Sequence, residues 1–143
     1  MNVTESKDGR MIAVGLEPEE KLLESIREVI KTYDIQEGAV ISGVGTLKRC
    51  HMHYVDTTSF PAKNVFYVVE EPLEVGSISG LIADYVPHLH MVAGCRDKKT
   101  YSGHLEDGCI VLYLAEVLIM RISAGLRREV HPKFGVALLK ERS

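Results

Sequence analysis

Histidine is the residue type whose spacing carries chemistry in this sequence. Six occur, as His51-Met52-His53, Pro87-His88-Leu89-His90, Gly103-His104 and a lone His131. On an extended strand, residues i and i+2 project from one face with Cα atoms about 6.5–7 Å apart, close enough for two imidazoles to share an ion. His88 and His90 have that spacing. The polar stretch Arg96-Asp97-Lys98-Lys99 reads as a turn, so residues 88–95 and 100–105 are expected to pair as an antiparallel hairpin. In one register His104 lies opposite His90 and joins the pair. Shifted by one residue, Met91 faces His104 and that histidine points away. Gly94 and Gly103 are each able to host the bulge that selects between the two. Three imidazoles on a rigid sheet leave a fourth position free, the pattern of an open zinc site rather than a closed structural one. The competing reading is an ordinary hairpin whose histidines are satisfied by backbone carbonyls.

Other candidates carry weaker signals. His51 and His53 share the i, i+2 geometry but lie among Lys48, Arg49 and Tyr54 with no third histidine nearby, which reads as a solvated face. Glu116 is the carboxylate inside the apolar run 109–120, where an unpaired charge is very costly. It needs a partner, and three roles are open to it: a structural cap on an arginine or amide, an acceptor that orients a metal-binding histidine, or a general base. His131 precedes Pro132 in a charged stretch and reads as surface. Ser42-Gly43-Val44-Gly45-Thr46 lacks both the third glycine of GxGxxG and the Gly-Lys-Ser/Thr of a phosphate loop, so it reads as a strand with a bulge or a close backbone approach. Neither a Ser/His/Asp nor a Cys/His hydrolase pattern is present, and covalent catalysis is not indicated.

These residues need elements to hold them. Between Pro18 and Tyr33, Leu22, Leu23, Ile26, Val29, Ile30 and Tyr33 form the stripe of an amphipathic helix. Pro18 suits its first turn, Glu17, Glu19 and Glu20 suit its positive end, and Gly38 lets the chain turn after it. Strands are expected near 10–16, 39–47, 49–56, 64–70, 72–82, 88–95, 100–105, 108–122 and 134–140. The run 109–122 is apolar on both alternating faces and reads as a long central strand buried on both sides.

The chain has 143 residues, 45% hydrophobic and 26% charged, which is the composition of a globular domain and excludes a disordered or fibrous one. A chain of this length buries roughly 68–70% of its unfolded surface, so it needs no metal merely to fold. Its net charge of −3 offers no basic field for a polyphosphate. The three cysteines, Cys50, Cys95 and Cys109, are widely spaced and read as reduced thiols of a cytoplasmic protein. The polar amino terminus predicts no secretion signal, and the longest apolar run is far below the ~18 residues of a membrane span.

The sequence of motifs Gly43-Val44-Gly45-Thr46-Leu47, Pro72-Leu73-Glu74-Val75 leading to Ser79-Gly80, Pro87-His88-Leu89-His90, Gly103-His104-Leu105 and Gly108-Cys109 leading to Glu116-Val117 resembles the plants-and-prokaryotes-conserved (PPC) domain over nearly the whole chain. The resemblance implies one α/β domain of the α+β type over residues 1–143, a mostly antiparallel sheet with one long helix packed on it, assembled as a homotrimer. It also implies that His88, His90 and His104, which match the family's PHLH and GGHL motifs, are metal-site residues. Ser102 stands where the family usually has the first glycine of GGHL. Zinc is the metal expected, although three imidazoles also accept nickel, copper or iron. Relatives in plants carry AT-hooks, and prokaryotic ones are often described as DNA-binding. No Arg-Gly-Arg-Pro hook occurs here, so DNA contact would fall to Lys48-Arg49, Arg96 to Lys99 or Arg127-Arg128. Three functions follow as expectations: a trimeric metal site that holds a small anionic or carbonyl ligand, with or without hydrolysing or isomerising it, a module associated with DNA, or a trimer whose metal only stiffens the hairpin.

Overall fold

The structure, a computed structural model, describes residues 1–142. Its elements run β1 (Asn2–Glu5), β2 (Met11–Leu16), α1 (Leu22–Thr32), β3 (Glu37–Val55), β4 (Asn64–Val69), β5 (Leu73–Ala83), β6 (Val86–Cys95), β7 (Thr100–Leu105), β8 (Ile110–Arg121), β9 (Leu126–Val130) and β10 (Ala137–Glu141). One sheet has the order β1-β2-β8-β3-β5-β6-β7, with β4 alongside β3, and β9 and β10 form a separate hairpin. Every pairing is antiparallel, as the α+β expectation required.

The element that shapes the sheet is β3. Residues 39–47 and 49–56, expected as two strands, are one strand of 19 residues. Lys48 does not interrupt it, because the side chain reaches Glu19 while the backbone stays extended. Register shifts at Val40/Ser42, Gly45/Leu47 and Leu47/Arg49 mark bulges, which bend a strand and sharpen its twist. The first part of β3 therefore pairs with β5 and β8, and its last part with β4 and β7. Meeting β7 at Met52 and His53 closes the run β3-β5-β6-β7 on itself. Gly45 has φ 150°, and a Cβ there would meet the Leu114 carbonyl oxygen at 2.5 Å. The glycine stretch is thus a close backbone approach, as its sequence suggested.

Inside this curved sheet one core gathers Ile12, Leu47, Ile78, Met91, Ile119 and the helix residues Leu22, Ile26 and Ile30. The helix itself is shorter than expected, 11 residues rather than the span 18–33. Residues 19–21 are held by β8 instead: Glu19 N–H donates to Val111 C=O, Val111 N–H to Glu20 C=O, and Leu22 N–H to Cys109 C=O. Glu19 has φ 73°, which no helix tolerates. Glu20 bonds the amino terminus of Met1 at 2.8 Å. At the other end Asp34, at φ 53°, takes the left-handed position expected of a glycine. Ile35 N–H donates to Ile30 C=O at 2.9 Å and Asp34 N–H to Lys31 C=O at 3.4 Å, the Schellman arrangement. Gly38 lies in β3.

Two strands went unread in the sequence. β1 is an exposed edge strand paired with β2 around the turn at Asp8-Gly9, and β9, Leu-Arg-Arg-Glu-Val, carries mostly charge. Burial on both faces of β8 is also not found in the single chain. Val111, Ala115, Val117 and Ile119 are buried, whereas Tyr113, Leu114 and Glu116 are exposed.

Candidate metal centre

The β6–β7 hairpin turns at Arg96 to Lys99, with Lys98 at φ 61°. Its register sets His90 opposite His104, which of the two registers open to the sequence is the one that joins the histidines. The buried residues of β6 are Leu89, Met91 and Ala93, so His88 and His90 face outward. The ring centres of His88, His90 and His104 stand 5.3, 5.0 and 5.6 Å apart.

His53 belongs to the same cluster, contrary to the solvated face expected of it. β3 and β7 pair His53 with His104, and the two rings stack with centres 4.6 Å apart. A row of imidazoles, His53, His104 and His90, thus crosses the adjacent strands β3, β7 and β6, with His88 two residues along β6. The contact spans distant parts of the chain, so local spacing gave no sign of it. His51, the neighbour of His53, is partly buried and bonds backbone instead: its Nδ1 lies 2.9 Å from the Asp107 carbonyl.

Glu106 was missed. It follows His104 by two residues, and its Oε1 lies 2.8 Å from His104 Nδ1 and 2.6 Å from His53 Nδ1. Burial pushes the Glu106 carboxyl up, but the hydrogen bonds from His53 and His104 outweigh it and leave the group below its ordinary range. An ionised carboxylate has no proton to give. Both Nδ1 atoms therefore donate, and the neutral form that desolvation favours for His104 leaves its Nε2 lone pair free. The signal available in sequence was the i, i+2 spacing of His104 and Glu106, the same rule that paired His88 with His90.

Desolvation also lowers the basicity of two of the rings, His88 and His104. His88 is pushed down to about 4, first by desolvation and then by the positive charge of Arg128. His104 is lowered by desolvation, against the opposing pull of Glu106. His53, His88 and His104 open onto a cavity of about 570 Å³ between β6, β7 and the β9–β10 hairpin, which Arg128 also lines.

These donors suit a divalent transition ion. A ring bound at the 2.0–2.1 Å usual for zinc has its centre about 3.2 Å from the ion, so three rings around a tetrahedral ion stand roughly 5.2 Å apart. The spacing of His88, His90 and His104 agrees with that value. Among the described residues, donor atoms all within 4.8 Å of one another are those of His53, His104 and Glu106, a spacing that the nitrogens of His88, His90 and His104 do not meet even though their ring centres are suitably placed. His104 is common to both groupings.

Glu116 lies elsewhere. It pairs with Val44 of β3, nine positions before His53, and is exposed, so water satisfies the charge that would have been costly in a buried strand. His131 stacks on Phe134 beside the β9–β10 loop. The basic clusters are partly neutralised: Lys48 pairs with Glu19, Arg49 with Glu70, Arg96 with Asp97 and Arg127 with Glu129, while Lys98, Lys99 and Arg128 make no ion pair among the described residues. No helix among the described residues is long and apolar enough to cross a membrane.

Comparison with known proteins identifies the chain's family and fold. A family model described as the Plants and Prokaryotes Conserved domain matches residues 3–123. A solved structure named as a candidate DNA-binding protein of Bacteroides thetaiotaomicron superposes with a TM-score of 0.83 at 18% identity, covering 96% of each chain. A metal-containing protein of Archaeoglobus fulgidus gives a TM-score of 0.80 at 25% identity, over 99% of this chain and 100% of that one. The bifunctional protein GlmU of Synechococcus sp. (strain JA-3-3Ab) is 27% identical over 110 residues, which are 77% of this chain but 17% of the length of that relative.

Proposed function

Because the chain belongs to the Plants and Prokaryotes Conserved domain family, we propose that it is a metal-binding protein of that family, a homotrimer of one PPC-like domain per chain in which His88, His90 and His104 hold one zinc or similar divalent ion. The observation that carries this reading is the spacing of the three rings, 5.0–5.6 Å between centres. The kinship in fold with a metal-containing archaeal protein supports it. Glu106 fixes the tautomer of His104 through Nδ1 and leaves Nε2 toward the ion, the carboxylate–histidine arrangement common around bound metals. A divalent ion held by three imidazoles supplies Lewis acidity toward a carbonyl or an anion at its open position. The free thiols of Cys50, Cys95 and Cys109 suit a reducing compartment, the cytoplasm.

Elemental analysis of protein purified without a histidine tag tests the reading. One transition ion per chain is expected, lost in the His88→Ala, His90→Ala double variant and kept in His53→Ala. Loss in His53→Ala with retention in the double variant transfers the ion to His53, His104 and Glu106, the set with the closest donor atoms.

A second reading, association with DNA, has the kinship with the Bacteroides protein in its favour. Lys48, Arg49, Arg96 and Arg127 are engaged in ion pairs, and the cations of these clusters without one, Lys98, Lys99 and Arg128, are too few and scattered to form a basic field for phosphates. Binding to duplex DNA is therefore weak, steeply dependent on salt and indifferent to sequence. Tight, sequence-selective binding at physiological salt overturns that ranking.

A further inference from the structure

We infer that the cavity beside the histidine cluster binds a small organic carboxylate, anchored by the guanidinium of Arg128. The inference rests on the metal reading above and names the class of ligand for that site. The cavity holds about 570 Å³ and is lined by His53, His88, His104, Arg128, Arg27 and Asn64 on its polar side and by residues such as Val55 and Val86 on its apolar side. That volume is within the range of small-molecule sites, and a mostly apolar wall with a few convergent polar groups is their usual make-up.

The charge accounting selects the ligand. Arg27, the other cation of the cavity, is engaged by Asp107. The neighbour Arg127 is engaged by Glu129. Arg128 lines the cavity and makes no ion pair among the described residues. A guanidinium at a largely apolar cavity wall with no counter-ion is incompletely compensated, and an incoming anion remedies that. The planar fork of an arginine matches the two oxygens of a carboxylate. A phosphate would need further donors to meet its extra charge and oxygens, and no lysine lines the cavity. The apolar walls receive a short hydrocarbon body, and the histidine cluster lies within the same chamber as the carboxylate anchor. Arg128 is brought there by β9, paired residue for residue with β10, so the hairpin that lies outside the main sheet has the task of presenting it.

The test uses the full chain, purified without a histidine tag and loaded with cobalt(II), whose content is measured before any ligand is added. Butyrate is the probe, butyramide its uncharged counterpart, and binding is followed by the cobalt absorption spectrum and by calorimetry. Wild type and Arg128→Gln are expected to hold the same cobalt content. Butyrate binds about tenfold to hundredfold more weakly to Arg128→Gln, Arg128→Lys recovers part of the loss, and butyramide binds both proteins equally. Equal butyrate affinity in wild type and Arg128→Gln at unchanged cobalt content overturns the inference and leaves the metal reading standing. So does the absence of butyrate binding to cobalt-loaded wild type. Failure of wild type to take up cobalt overturns the metal reading instead, and the same calorimetric comparison on metal-free chains then judges Arg128. Should Arg128→Gln lose its fold, seen by circular dichroism, Arg128→Lys carries the comparison, with weaker butyrate binding expected and equal binding fatal.

Discussion

Glu106 decides which nitrogen His104 can offer to an ion. Its carboxylate accepts from Nδ1 of both His53 and His104, so removing it frees both rings to rotate and change tautomer. Substitution of such an acceptor usually lowers metal affinity tenfold to hundredfold. Glu106→Ala is expected to fall in that range when competed against a chelator, with Glu106→Gln between it and wild type, since an amide oxygen still accepts but carries no charge. Unchanged affinity in both variants removes Glu106 from the site. The depressed basicity of His88 has a consequence for the metal-free chain. Its native value of about 4 lies below the ordinary histidine value of 6.5, so between those limits the unfolded chain binds a proton that the native chain resists, and His104 shifts in the same direction. Stability linked to these groups is complete above about pH 6.5 and is lost as the pH falls toward 4. The urea midpoint is expected to decline over that interval, less so in His88→Gln, and an equal decline in both proteins would show that His88 does not contribute.

Two glycines let the strands come close enough to gather the rings. A Cβ on Gly103 would meet the His53 carbonyl oxygen at 2.5 Å, and one on Gly80 would meet that of His88 at 2.0 Å. Gly80 also has φ 152°. Gly103→Ala must therefore push β3 from β7, or twist the strand, at the point where His53 faces His104. A loss of about 1–3 kcal/mol, the usual cost of overpacking, is expected in thermal or urea unfolding, together with weaker metal retention; an alanine variant as stable as wild type contradicts the close approach. The sequence disclosed the hairpin well, because the His88–His90 spacing and the Arg96–Lys99 turn are local features. It left the register open, which depends on pairing rather than composition. It also hid the β3–β7 contact, because bulges bend one long strand into two directions and no residue type announces where such a bend leads. Glu19 and Glu20 misled for a related reason: a stretch that looks like the first turn of a helix is taken by β8. Charged edge strands such as β1 and β9 lack the alternation that identifies a half-buried strand, so the Arg128-bearing hairpin was only half visible.

At the scale of the molecule, the outward face of β2, β3 and β8 is covered by none of the described residues. Pairing aligns Val44 with Glu116, Ser42 with Leu118 and Ala13 with Leu118, so these residues share one face with Leu114. Leu114 is 48% exposed and Val44 42%, and a shallow cavity of about 370 Å³ lies among Ala13, Val44, Glu116 and Leu118. Contiguous apolar surface on a central strand is unusual in a monomer and marks an association face. Closed cyclic symmetry covers one such patch on every subunit at once, which an open chain of contacts does not. The homotrimer proposed above meets that condition, with Glu116 at its rim or paired across it rather than at the histidine site. Leu114→Lys is expected to shift the chain toward monomer in analytical ultracentrifugation while leaving the β6–β7 hairpin, and hence metal uptake per chain, intact. Wild-type protein that sediments as a 15.9 kDa monomer at micromolar concentration would remove the assembly and leave the exposed face for another partner to cover.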